Sequence, residues 1–330
     1  MCNTTGENNN FIGKKAGCEN TTGENNNFIG YHVGIANTTG SCNDFIGFEA
    51  GKCNESGSNN IFFGACAGRC ATITGLNNVY LGSGAGQSAT GAQNYNIALG
   101  WLAGCDNEGS SNVFLGPAAG LNHSTGNKNT FIGDCAGKAT GAGAAQNVYI
   151  GPSAGCQNAG CCNIFLGSNA GIAVTTSSHN IMIGACTGRC GDNAGTGVNG
   201  QYNIFLGQAA GKCAYGSGEC NTFIGYFAGC VNTTGASNNF FGTNAGKDNT
   251  EGSNNNFIGR GAGSSNTTGN NNNFIGRYAG CSNTTGTSNV FLGNNVGLAN
   301  TTGAKNIYIG SGIADNAVSS CANANIVIGN

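Results

Sequence analysis

Charge is scarce in this chain of 330 residues: Asp, Glu, Lys and Arg together make up 8%, and the formal net charge is −2. That leaves no basic stripe for a phosphate backbone, so nucleic acid is not an expected partner. Proline occurs only twice and tryptophan once. No apolar run approaches the roughly 20 residues needed to cross a bilayer as a helix, and no membrane span is expected. Long helices are disfavoured too, because Gly and Asn recur every few residues and a helical glycine costs up to about 1 kcal/mol. Low charge often accompanies disorder, but an apolar group that returns at fixed intervals argues for a packed core.

What is abundant is glycine, 61 residues, and it is periodic. A short apolar group ending in glycine recurs at Gly13, Gly30, Gly47 and Gly64, 17 residues apart. The series runs on through Gly82, Gly100, Gly116, Gly133, Gly151, Gly167 and Gly184. After a step of 23 it resumes at Gly207, Gly225, Gly242, Gly259, Gly276, Gly293 and Gly310, and it ends at Gly329, giving nineteen units. The period lacks the G-X-Y rhythm of collagen. Such a period marks a stacked repeat architecture. The expectation is an all-β protein: a single parallel β-solenoid (β-roll) over 1–330, with about nineteen coils, disulfide staples, an irregular insertion near 191–200 and no capping domains. At about 4.8 Å per coil the rod would be about 90 Å long.

Each coil reads as Asn-Thr-Thr-Gly, a spacer, Asn-x-Phe-Ile-Gly and then Ala-Gly, as in Asn266–Ser282. The strand passes through Phe-Ile, and alternation sends neighbouring side chains to opposite faces. Before each series glycine stands Ile, Leu or Phe; before that stands an aromatic in sixteen of nineteen units, the exceptions being Ala98, Met182 and Val327. Two residues before the aromatic position there is always Asn, from Asn9 to Asn325. Asn accepts left-handed backbone, and identical Asn side chains can stack as a ladder. One apolar column must face outward. The favoured orientation puts Ile12 and Ile29 with their equivalents inside. The outward self-assembly column is then Phe11, Phe28, Phe45, Phe62, Tyr80, Phe114, Phe131, Tyr149, Phe165, Phe205, Phe223, Phe240, Phe257, Phe274, Phe291 and Tyr308. Asn10, Asn27 and Asp44 would then share the inner face, and the reverse orientation with aromatics in the core stays open.

Thr22-Gly23 followed by Asn26-Asn27-Phe28-Ile29-Gly30, and Thr302-Gly303 followed by Asn306-Ile307-Tyr308-Ile309-Gly310, resemble the head repeats of trimeric autotransporter adhesins and related repeats of viral and phage fibres. The resemblance covers the whole chain. It implies a left-handed parallel β-roll and an extracellular or surface role. The period here is longer than that family's, an aromatic stands where a small residue is usual, and no coiled-coil stalk, anchor or chaperone pattern is found.

Eighteen cysteines are far more than a cytosolic structural protein carries, and no paired zinc-type spacing accompanies them. Cys53 and Cys70 share a coil position one repeat apart, Cys213 matches Cys230 to within one place, Cys190 lies one coil before Cys213, and Cys2 nearly matches Cys18. Adjacent coils lie within disulfide reach. Cys105, Cys281 and Cys321 have no same-column neighbour and are candidates for bonds between chains. Asn3, Asn20, Asn37, Asn54, Asn122, Asn232, Asn266, Asn283 and Asn300 each head an Asn-x-Ser/Thr triplet. They are glycosylation acceptors in a secretory setting, or simply turn chemistry. No export segment is visible at Met1-Cys2-Asn3, which already lies within a repeat.

Catalytic patterns are not found. His32, His123 and His179 are isolated, and Gly195–Gly200 fits GxGxxG but sits in the insertion, where a loop is expected. No cofactor or metal is expected. The expected function is an extracellular, self-assembling structural subunit of a filament, fibre or sheath at a cell or virion surface, stacking end to end and side by side with itself. The alternative is an adhesin or viral fibre that binds a host or matrix ligand. Ice binding ranks third, because the Thr-Thr column is broken by Glu55, Ile73, Glu108 and Glu251.

Overall fold

A computed structural model describes residues 3–69, 74–89, 92–172, 174–189, 200–214, 216–313 and 323–329. Two compact units, Met1–Cys162 and Asn163–Asn330, divide the chain. Each is a parallel β-solenoid, and every described strand is three residues long and centred on the aromatic position of the repeat. The first unit holds β1 (Asn10–Ile12), β2 (Asn27–Ile29), β3 (Asp44–Ile46), β4 (Ile61–Phe63), β5 (Val79–Leu81), β6 (Ile97–Leu99), β7 (Val113–Leu115), β8 (Thr130–Ile132) and β9 (Val148–Ile150). The second holds β10 (Ile164–Leu166), β11 (Ile181–Ile183), β12 (Ile204–Leu206), β13 (Thr222–Ile224), β14 (Asn239–Phe241), β15 (Asn256–Ile258), β16 (Asn273–Ile275), β17 (Val290–Leu292), β18 (Ile307–Ile309) and β19 (Ile326–Ile328). Within each unit every strand pairs in parallel with the next in sequence, in perfect column register, as in Phe28↔Phe45 and Phe257↔Phe274. The steps of 16, 18 and 23 residues between strands therefore leave the register untouched and are absorbed outside the strands. Residues 191–199, with most of the GxGxxG segment, lie outside the described residues.

The core corrects the favoured orientation. The central strand residue points inward: Phe28, Phe45, Phe62, Phe114, Phe131, Tyr149, Phe165, Phe223, Phe240, Phe257, Phe274, Phe291 and Tyr308 have no exposed surface, and Tyr80 and Phe205 have almost none. Phe11, in the first coil, is half-buried. The side chains that flank the aromatic in each strand face out, including the Ile or Leu column assigned to the core. The aromatic stripe is thus not a self-assembly surface. Ring centroids in the second unit follow one another at 4.7–5.0 Å and within 9° of parallel from Phe205 to Tyr308. That spacing is the strand spacing itself, so the backbone pitch sets the stack and the rings fill it.

Two glycine columns make room for the rings. Gly280 has φ +56°, and a Cβ there would lie 2.6 Å from Cδ2 of Phe274. Gly242 has φ +135° and sits against the next coil, where a Cβ would meet the Gly259 carbonyl oxygen at 2.6 Å. Only glycine satisfies both demands. The buried Ala before the first of these glycines, as at Ala16, Ala67 and Ala279, is the small inward residue the repeat predicts.

The Asn column two residues before the aromatic forms the expected ladder. The Asn26 amide donates to Asn9 Oδ1 at 2.9 Å and Asn43 repeats the bond to Asn26 at 3.0 Å, while Asn26 Nδ2 donates to the Gly40 carbonyl at 2.8 Å. Left-handed backbone falls one residue earlier than the Asn column, and it is held there by whatever residue the coil supplies: Asn25, Cys42, Tyr95, Lys128 and Tyr202 all have φ between 57° and 61°. A non-glycine residue in that region costs about 1–2 kcal/mol, and the ladder bonds on either side offset it.

Candidate functional site

The inside of each coil is occupied by ring, Ala and Asn columns, so the groups free to meet other molecules lie on the surface. A second Asn column lies under the Thr-Thr corner and decides the fate of the sequons. Asn37 Nδ2 donates to Asn20 Oδ1 at 2.8 Å and to the Gly40 carbonyl at 3.0 Å, and the same pair of bonds recurs at Asn266 at 2.7 and 3.0 Å. Asn20, Asn37, Asn54, Asn232, Asn266, Asn283 and Asn300 are all buried there. A glycan needs that amide nitrogen in solvent, so these seven are turn and ladder residues and not glycosylation acceptors. Asn3 and Asn122 remain exposed. Asn122 lies outside the ladder because the next residue, His123, takes the ladder place.

His123 is fully buried, with Nδ1 2.7 Å from Thr140 Oγ1 and Nε2 3.0 Å from the Gly126 carbonyl. Its ring stands edge-on to Phe131, 86° between planes. Burial pulls its pKa below the ordinary 6.5, and the Gly126 carbonyl opposes that shift. His32 stacks on Tyr31 and lies 4.0 Å from Glu49, which also pairs with Lys52 at 2.9 Å and Arg69 at 2.7 Å. Hydrogen bonding from Lys52 holds the Glu49 carboxyl below its ordinary range. His179 stacks on Tyr202 at 5.0 Å. Each histidine thus has a structural neighbour, and among the described residues no three His, Cys, Asp or Glu side chains converge as a metal site would require.

No disulfide joins the described cysteines. Cys2, Cys70, Cys190 and Cys321 lie outside the described residues, so the pairs Cys53–Cys70, Cys2–Cys18 and Cys190–Cys213 and the inter-chain role of Cys321 cannot be placed. The structure does bring Cys213 and Cys230 together: the Cys213 amide donates to the Cys230 carbonyl at 2.6 Å. Burial, with Cys213 alongside, pushes the Cys230 thiol up to about 11. Cys105 is buried and 3.8 Å from Ser88 Oγ, which removes it from the candidates for bonds between chains. Cys281 is half-buried against Ser282.

The feature that sequence reasoning placed on the wrong side is the outer sheet face. Its third-position column is aliphatic or Phe in every strand, with Ile12, Leu99, Ile150, Leu206, Ile258 and Leu292 all clearly exposed. The first-position column varies. Asn10, Asn27 and Asp44 form a polar ladder with Asn10–Asn27 at 2.9 Å and Asn27–Asp44 at 2.8 Å, whereas Ile, Val and a single Thr fill β4–β9. That polar start was the available signal: residues two apart share a face, and Asn and Asp belong with solvent.

Comparison with protein-family models, with curated proteins and with solved structures returned no match. Among the described residues no helix is long and apolar enough to cross a membrane.

Proposed function

We propose that this chain is a structural, non-catalytic subunit that works outside the cell or at a virion surface and self-assembles into a filament, fibre or sheath. The observation that carries the reading is the use of the interior. Ring, alanine and asparagine columns run from coil to coil, and in the second unit seven consecutive rings stack without interruption. Such coils make a stiff, repeating element whose stability comes from neighbouring coils, and they leave repeating columns as the surface on which contacts form. Eighteen cysteines support an oxidising location. The adhesin-type resemblance supports the same setting, and a surface-ligand role remains the alternative.

In that setting Cys213 and Cys230 are the described pair that forms a staple. Two thiols exchange with a small-molecule disulfide, giving one protein disulfide and two released thiols, with Cys213 attacking first because it is the more exposed. Cys53–Cys70 is proposed alongside it. Peptide mapping without reduction should recover the Cys213–Cys230 link in native material; free thiols at both positions would remove the staple and the oxidising location with it. Negative-stain microscopy tests assembly. Filaments or laterally associated rods are expected, and monodisperse single particles at high concentration would leave the surface-ligand alternative in place.

A further inference from the structure

The outer face of β4–β9 differs from the rest of the first unit. Of its twelve first- and third-position side chains, eleven are apolar, one is Thr130 and none is charged. Ile61, Ile97, Leu99 and Ile150 each expose 37–39% of their surface although their neighbours in the sheet are in contact. Together the twelve present on the order of 600 Å² of mostly apolar surface, the upper end of what a soluble monomer leaves open. Two large aromatics flank β6, one of the two middle strands of this face. Tyr95, 63% exposed, stands two residues before β6, and Trp101, 59% exposed and the only tryptophan in the chain, stands two residues after it. Tyr and Trp are the residues that most often anchor protein interfaces.

We propose that the outer face of β4–β9 docks a second copy of this chain, an inference that rests on the self-assembly reading and names the surface it uses. Three features select a second copy over other occupants. The face is uncharged, so it offers no complement to an acidic or basic partner. Its side chains recur once per coil at the strand spacing, and a second copy presents the same uncharged column at the same spacing over the same six coils. With Tyr95 and Trp101 included, the area approaches the roughly 800 Å² per partner of a standard stable interface.

Trp101 makes the inference measurable in the full chain, because it is the one tryptophan and stands exposed two residues beyond β6. Fluorescence and sedimentation velocity are followed together over a concentration series with reductant present, which removes covalent links. The expected result is a blue shift and loss of iodide quenching in step with assembly. Leu99→Lys should move both transitions at least tenfold higher in concentration while leaving circular dichroism and melting unchanged, since the side chain points to solvent. Ile150→Lys is the second variant should Leu99→Lys not fold, with the same tenfold shift expected in sedimentation. Assembly with Trp101 still fully quenchable would overturn the docking face and leave the self-assembly reading standing. Absence of any assembly would overturn both. An emission shift seen only with phosphatidylcholine vesicles would replace the second copy with a lipid surface and overturn the proposal.

Discussion

In the second unit the ring ladder is broken once near its start, at Met182, and then runs unbroken from Phe205 to Tyr308, while in the first unit it stops and restarts in the middle. From Phe11 to Tyr80 the rings stack at 4.6–5.1 Å, then Ala98 takes a ring's place in β6. The next ring, Phe114, tilts 44° from Phe131 and leans under Gly104, so that a Cβ on Gly104 would lie 2.6 Å from its Cδ2. His123 meets both rings edgewise. The backbone register across β5–β7 is nonetheless the same as elsewhere. The difference teaches that the pairing of coils fixes the positions and that the core conserves filled volume rather than ring identity. A missing ring is made good by a neighbour that leans and by a histidine that replaces an asparagine.

The sharpest way to break that comparison is to make a gap where no neighbour can lean. Phe257→Ala sits between two rings at 4.8 and 5.0 Å, both held by rings of their own. The loss should be about 3–5 kcal/mol, read as lowered denaturation midpoint and as faster amide exchange in β14–β16 with the first unit unchanged. Removing a ladder rung comes next. Asn266→Ala leaves the Gly269 carbonyl and the Asn283 amide each without one partner, a cost of about 2–3 kcal/mol by the same measurements.

Filling the gap tests the other side. Ala98→Phe alone should destabilise the first unit by about 1–3 kcal/mol, because Phe114 already occupies the space. Adding His123→Asn restores the Asn column and frees Phe114 to stack, so the double variant should lose less than the sum of the singles in a double-mutant cycle. Additive losses would show that Phe114 and His123 are independent.

Acid should separate the units as well. Burial holds the folded pKa of His123 below 6.5, so the unfolded chain takes up the proton first. Its contribution is fully present above pH 6.5 and falls away as pH drops through that value towards the folded pKa. A melt series from pH 8 to 5 should show the first unit weakening and His123→Asn reducing the effect, with His32 of the same unit, whose pKa burial also lowers, supplying the remainder. The smallest expected change is at the surface. Thr267→Val loses one hydroxyl bond of 3.1 Å to the Thr284 carbonyl, worth about 0.5–1.5 kcal/mol, with no change in assembly.

Much of this fold was legible. The glycine period located every strand centre from Phe11 to Val327, and the invariant Asn column read correctly as a ladder, because both recur at the coil period whatever lies around them. The inner and outer faces were not. Phe and Ile are both apolar, and alternation says only that they face apart. The clue lay in Asn10, Asn27 and Asp44, which share a face with Ile12, Ile29 and Ile46 and face solvent. The buried sequons were hidden for a related reason. Asn-Thr-Thr has the same letters on a loop tip as under a corner, and only the stacking of Asn20, Asn37 and Asn54 at hydrogen-bonding distance shows that their amides are taken.

The sequence by itself determined the coil: its length, its strand, its glycine corners and its parallel register, since each follows from short-range steric and hydrogen-bonding rules repeated down the chain. Only the tertiary structure decided which way the coil is filled. A phenyl ring needs the space above a glycine that lies six residues away along the chain, as Gly280 does from Phe274. That space exists only once the coil has closed and the next one has stacked upon it. The same closure turns the aliphatic column outward and makes the face of β4–β9.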